Sequence, residues 1–215
     1  MGMEFRELLQ IVGDEPVFET GLLLAGAVDP ADVRRQLSRW TASGRLYQLR
    51  RGLYALAPPY QKVKPHPFLL ANRMRRGSYV SLHSALAHYG LIPEYVVVTT
   101  SVTTVRPGRW ETPLGVYAFR HINTAFFYGY RQVDLGEGQR AFLASPEKAL
   151  LDLVHLQPAG DTPAYLNELR LESLDRLDLD ALARLAKTAG SPKLRRAATH
   201  IAEMACREAL EYETL

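Results

Sequence analysis

Residues 29–56 read DPADVRRQLSRWTASGRLYQLRRGLYAL, a helix followed at once by a tight hairpin. Asp29 suits an N-cap, Pro30 the first helical turn, and Asp32 the positive end of the helix dipole. Val33, Leu37 and Trp40 fall at i, i+4 and i+7, which gives one apolar face to bury. Arg34, Arg35, Ser38, Arg39 and Thr41 fall on the remaining surface. Gly44 stands where a left-handed residue closes a helix. RLYQL and LYAL then read as short strands joined through Arg50, Arg51 and Gly52, the glycine supplying the positive φ of a tight turn.

Upstream, Phe5, Leu8, Leu9 and Val12 mark an amphipathic helix that stops near Gly13 and Asp14. A second helix is expected from about Pro16 through VFETGLLLAGAV, weakened by Gly21 and Gly26, which also permit close packing. Helix, helix, helix and two strands within residues 1–57 is the minimal order of a winged helix-turn-helix, which presents its third helix to a DNA groove. APPYQKVKPHP follows with four prolines, so residues 58–67 read as a stiff linker.

The second half, residues 68–215, reads as α+β to about residue 156 with a helical tail from 163. Helices are expected at FLLANRMRRG and YVSLHSALAHYGLIP. Strands are expected at YVVVTTS, VTTVRPG, VYAFRHI, FFYGYRQVDL and RAFLA, in a mostly antiparallel sheet. SPEKALLDLVHLQP is a helix with Ser145 as N-cap, Pro146 at its first position and Glu147 in its first turn. In the tail, Asp178 and Ser191 look like caps and Gly190 like a stop.

Charge is distributed unevenly. From Val33 to Pro93 there is no Asp or Glu, yet eleven Lys and Arg fall there: Arg34, Arg35, Arg39, Arg45, Arg50, Arg51, Lys62, Lys64, Arg73, Arg75 and Arg76. The rest of the chain holds 15 bases (26 less 11) against 23 acids. A solvated surface normally mixes both signs, so the basic block points to a polyanionic partner. No apolar run approaches the roughly 20 residues of a membrane span, and no signal-peptide pattern opens the chain. Cys206, the sole cysteine, excludes an internal disulfide and a cysteine-based zinc site, and reads as a buried small residue in the last helix. The cytoplasm is the expected compartment.

Three blocks, RRGLYAL, YVSLHSALAHYGLIPEYVVVTT and RAFLASPEKALLDLVHL, occur in this order. Together they resemble the AbiEi family of antitoxins, over about Pro16 to Leu156. The resemblance implies a winged helix-turn-helix joined to an antitoxin domain, in a bacterial or archaeal toxin–antitoxin system. It further implies repression of the chain's own operon through inverted repeats. The toxin would be nucleotidyltransferase-like and counteracted as in type IV systems, without need of a stable complex.

The residues expected to bind double-stranded DNA are Arg34, Arg35, Ser38, Arg39 and Thr41 on the helix, Arg45, Arg50 and Arg51 on the hairpin, and Lys62 and Lys64 in the linker. Arginine bridges guanine O6 and N7, and arginines at a hairpin tip suit phosphates or the minor groove. Six such cations would give log affinity a slope against log salt on the order of −5. His83 and His88 are five apart, off the spacing that puts two ligands on one helical face, and read as structural or surface residues. Asp134, Glu147 and Lys148 echo a nuclease only faintly, and helix capping accounts for Glu147. Tyr117, Phe119, Phe126, Phe127, Tyr128 and Tyr130 read as sheet core. No catalytic residue, metal or cofactor is expected. Two other readings stay open: a nucleic-acid-processing enzyme acting through Asp134 or Glu147, and a protein-binding adaptor.

Overall fold

Glu4 and Glu7 close a reciprocal capping box at the start of α1 (Phe5–Val12), which buries Leu8 and Val12 and ends on Gly13 at φ 59°. The structure, a computed structural model, describes residues 3–25 and 28–213. Where the sequence suggests a single second helix, the chain forms β1 (Phe18–Glu19) and then only one turn, α2 (Thr20–Leu23). Phe18 and Glu19 pair with Tyr54 and Leu53 of the hairpin, so tertiary pairing overrides a helical propensity already weakened by Gly21. Gly26 lies outside the described residues. α3 (Pro30–Ala42) forms as its signals indicate: the Asp29 side chain accepts the Ala31 N–H at 2.9 Å, and Gly44 turns at φ 71°.

β2 (Leu46–Arg50) and β3 (Leu53–Leu56) follow, joined through Gly52 at φ 80°. With β1 they make a three-stranded antiparallel sheet in the order β1-β3-β2, irregular between Gln48 and Arg50. All four residues of β3 are buried. Tyr54 and Leu56 join a core with Leu8, Phe18, Leu37 and Trp40, whereas Leu53 and Ala55 join a second, larger core together with Val17 and Leu49. The hairpin is therefore a shared wall between two cores and not a free flap. Residues 57–66 are tied down as well. The Gln139 side chain accepts the His66 N–H at 2.8 Å and donates to the Lys64 carbonyl at 3.0 Å.

α4 (Pro67–Met74) is capped by His66, whose Nδ1 accepts the Phe68 N–H at 3.1 Å. Next come β4 (Ser78–Val80), α5 (Leu82–His88), β5 (Val98–Thr103), β6 (Gly108–Thr112), β7 (Gly115–His121), β8 (Tyr130–Asp134) and β9 (Arg140–Ala144). The tail holds α6 (Pro146–Leu156), α7 (Pro163–Glu168), α8 (Leu179–Thr188) and α9 (Pro192–Glu213). The start of YVSLHSALAHYGLIP is thus a strand and not helix, VTTVRPG forms no strand of its own, and GRWET supplies one that alternation did not reveal.

The fold is α+β. The six-stranded sheet runs β6-β7-β5-β4-β9-β8 and is mixed: three of its five joints, β6/β7, β5/β4 and β9/β8, are antiparallel as expected, whereas β5/β7 and β4/β9 are parallel. Each edge is a hairpin that docks through its second strand, β7 or β9, leaving β6 and β8 outermost, and that docking sets the parallel joints. α4 packs on β9, α5 on β5, and α6 is backed by α5, α8 and α9. Among the described residues no helix is long and apolar enough to cross a membrane.

Candidate nucleic-acid interface

α3 buries Val33, Leu37 and Trp40, and the 3.6-residue period then holds Arg34, Arg35, Ser38 and Arg39 in solvent. Arg35 pairs with Asp32 at 2.9 Å. Arg34 and Arg39 make no ion pair among the described residues, so their donors remain open to a partner. Thr41 is half-buried and its hydroxyl donates to the Leu37 carbonyl at 2.8 Å, which leaves that donor committed to the helix. The Arg45 guanidinium lies 5.0 Å from the centre of the Phe5 ring, which itself packs edge-on against Trp40 and Tyr60. That aromatic stack holds Arg45 beside the end of α3 while leaving the residue exposed.

At the hairpin tip the two arginines part company. Arg51 is exposed. Arg50 turns inward, with 30% of its side chain accessible. Its Nη1 donates to the Arg51 carbonyl at 3.1 Å and its Nη2 to the Arg73 carbonyl at 3.3 Å, with Glu19 3.9 Å away. The expected phosphate contact at Arg50 is thus a brace between the hairpin and the end of α4. Lys62 pairs with Asp14 at 2.9 Å, whereas the Lys64 side chain is exposed and its carbonyl is held by Gln139.

The acid-free block is therefore not free of acids in space. Asp14, Glu19 and Asp32, all just outside it in sequence, neutralise Lys62, Arg76 and Arg35. Proximity along the chain is a poor guide here, because β1 brings Glu19 alongside the hairpin. What the fold leaves open is a smaller set: Arg34, Ser38 and Arg39 on one face of α3, Arg51 at the hairpin tip, Lys64, and Arg73 on α4.

A second charged cluster lies in the SPEKALLDL segment, inside the protein. Lys148 and Asp152, one turn apart on α6, form an ion pair that is 2% and 0% accessible at its two side chains. Asp152 also accepts the Tyr79 hydroxyl at 3.0 Å and the Ser81 hydroxyl at 2.8 Å. Lys148 lies near the faces of Tyr79 and Tyr128. Burial pushes the Asp152 carboxyl upward and the Lys148 ammonium downward, each opposed by the attraction of its partner. Gly129 adopts φ 72°, and a Cβ there would sit 3.0 Å from Lys148 Cγ, so the turn is cut to fit the lysine. The i, i+4 lysine and aspartate in the sequence signal this pair, although Asp152 taken alone reads as one more helical charge.

The remaining candidates are committed elsewhere. Glu147 is buried and accepts the Asp178 N–H at 3.0 Å, which fastens the tail to α6, and Asp134 accepts the Gly136 N–H at 2.8 Å in its own turn. His83 and His88 are exposed on α5, while Ser81 and Ser84 are buried and bonded to Asp152 and the Val98 carbonyl. Among the described residues no three His, Cys, Asp or Glu gather to hold a metal. Tyr117 and Phe119 are buried in the sheet, and Phe126, Phe127, Tyr128 and Tyr130 are half-buried. Cys206 is exposed, contrary to its apolar setting in sequence, because it lies on α9 beyond the turn that buries Ile201.

No family model matches the chain, and no curated protein matches it. Among solved structures the chain is similar to the RV2827C protein from Mycobacterium tuberculosis, with a TM-score of 0.56 and 20% identity, over 92% of this chain and 75% of that one. The likeness extends across both halves and shows a common fold.

Proposed function

We propose that the chain is a sequence-specific DNA-binding repressor whose first 57 residues work as a winged helix-turn-helix. The observation that carries this reading is the exposed face of α3, where Arg34, Ser38 and Arg39 stand open, followed by a hairpin with Arg51 exposed at its tip. A helix of 13 residues with one buried stripe and one cationic stripe is suited to the major groove, which a helix can enter and an arginine can read. Arg34, Arg39 and Arg51 carry the contacts, with Ser38 beside them and Lys64 at the margin. Arg35, Arg45 and Lys62 reach DNA only by leaving or sharing present partners, and Arg50 and Thr41 support from behind. Three free cations in place of six give a salt slope of about −3.

The finer assignment rests on the three sequence blocks that resemble AbiEi antitoxins. In that reading the repressor acts on inverted repeats ahead of its own gene, and residues 68–215 counteract a nucleotidyltransferase-like toxin. The test is fluorescence anisotropy with duplexes from the DNA upstream of the gene and a scrambled control. Tighter binding to an upstream inverted repeat supports the repressor, and equal binding to both duplexes removes it. Co-expression with a neighbouring nucleotidyltransferase-like gene tests the antitoxin role: growth arrest relieved by this chain supports it, and arrest that persists ends it.

A further inference from the structure

A cationic corner lies where the end of α4 meets the hairpin. Arg76 Nη2 approaches both carboxylate oxygens of Glu19, at 2.8 and 2.7 Å, and Arg50 stands 3.9 Å from the same carboxylate. The bond from Arg50 to the Arg73 carbonyl sets Arg73 beside the hairpin. Arg75 stacks over Trp110 at 4.7 Å, and burial together with the Arg50 charge lowers its guanidinium below the ordinary value. Arg50, Arg51, Arg73, Arg75 and Arg76 thus bring five arginines to this part of the fold, where Glu19 is paired with Arg76 and stands 3.9 Å from Arg50. The Nε–H groups of Arg50 and Arg75 are buried without a partner. Crowded like charges disfavour this arrangement unless an anion balances them.

We infer that this corner receives a backbone phosphate of the bound DNA, and that Glu19 holds the place of that phosphate in the free protein. The inference rests on the DNA-binding reading and extends it beyond the first 57 residues, to Arg73 and Arg76. Arg51, Arg73 and Arg76 are its exposed members, and Arg76 has 73% of its side chain in water. A phosphate can therefore approach without disturbing either core. Binding exchanges one oxyanion for another on Arg76, and an exposed ion pair is weak enough in water to be exchanged readily. Glu19 keeps Arg76 near the hairpin until the phosphate arrives, while Arg50 stays in place as the brace behind it.

The full-length protein and a mixed-sequence duplex, titrated over a salt series by anisotropy, test this. Glu19→Gln keeps the shape and removes the competing charge. It is expected to tighten binding by about 3- to 10-fold and to steepen the salt slope by about 1, since the freed guanidinium now releases a counterion on binding. Arg73→Gln/Arg76→Gln, both exposed, is expected to weaken binding about tenfold and flatten the slope by about 1 to 2. Unchanged or weaker binding by Glu19→Gln, or unchanged binding by the double variant, overturns the inference. Thermal melting verifies the fold of each, and should Glu19→Gln not fold, the double variant decides alone. Arg34→Ala/Arg39→Ala separates the two levels. If that variant loses affinity while Arg73→Gln/Arg76→Gln does not, only the phosphate corner fails. If neither loses affinity, the DNA-binding reading fails with it.

Discussion

Helices α3 and α6 begin alike, with a polar cap followed by proline, Asp29–Pro30 in one and Ser145–Pro146 in the other, and both carry charge in their second turn. Their fates are opposite. α3 buries three residues of its 13 and turns its arginines out, whereas α6 buries eight consecutive residues, Glu147 to Val154, and takes its charges inside. The difference lies in what surrounds them. α3 has a core on one side only, and its exposed arginines need no partner because water solvates them. α6 is enclosed by α5, α8, α9 and β9, so Lys148 and Asp152 must satisfy each other with the help of Tyr79 and Ser81. Charge on an enclosed helix fixes a structure, and charge on an open helix is available to a ligand.

The largest effect belongs to α6. Asp152→Asn or Lys148→Met leaves an uncompensated buried charge and is expected to destabilise the fold by about 3–5 kcal/mol in urea denaturation. Lys148→Met/Asp152→Leu should recover part of that loss, but not all, because the Tyr79 and Ser81 hydroxyls lose their acceptor. A single variant that unfolds like wild type would break the contrast. Arg39→Ala on α3 should do the reverse: stability within about 0.5 kcal/mol of wild type, with operator binding weaker by about 1–3 kcal/mol. Arg51→Ala, at the hairpin tip, should weaken all duplexes alike and flatten the salt slope by about 1.

The smallest effect sharpens the comparison with a third capped helix. α4 opens on His66–Pro67, and its cap is a neutral imidazole nitrogen that accepts the Phe68 N–H. Burial, and then the neighbouring His88, lowers the His66 pKa below 6.5. The folded state therefore binds fewer protons than the unfolded one as the pH falls below about 6.5, so acid withdraws stability and neutral pH restores it. His88 and His155 are lowered by burial in the same direction. The melting temperature should fall between pH 7 and pH 5, and His66→Asn, which can cap without titrating, should flatten part of that fall. An unchanged profile in His66→Asn would remove the cap from the account.

Local chemistry made much of this legible in the sequence. The bounds of α3, the Gly52 turn and the Ser145 cap follow from signals that act within a few residues. What escaped depends on distant partners. β1 exists because β3 offers it an open edge, and the parallel joints of the large sheet follow from how its hairpins dock. The same limit applies to the interface. Periodicity placed Arg34, Arg35, Ser38 and Arg39 on the outer face, but nothing near Arg50 in sequence shows that Glu19 and the Arg73 carbonyl will claim it. The acid-free block overstated the open charge because its neutralising acids lie upstream and return through the fold.

Binding of Arg34→Ala/Arg39→Ala to the upstream inverted repeat and to its scrambled counterpart, at one fixed salt concentration, decides whether the open face of α3 reads DNA sequence. Wild type is expected to prefer the repeat, and the variant, still folded, to bind both duplexes with the same weak affinity. A folded variant that keeps the full wild-type preference would contradict that reading.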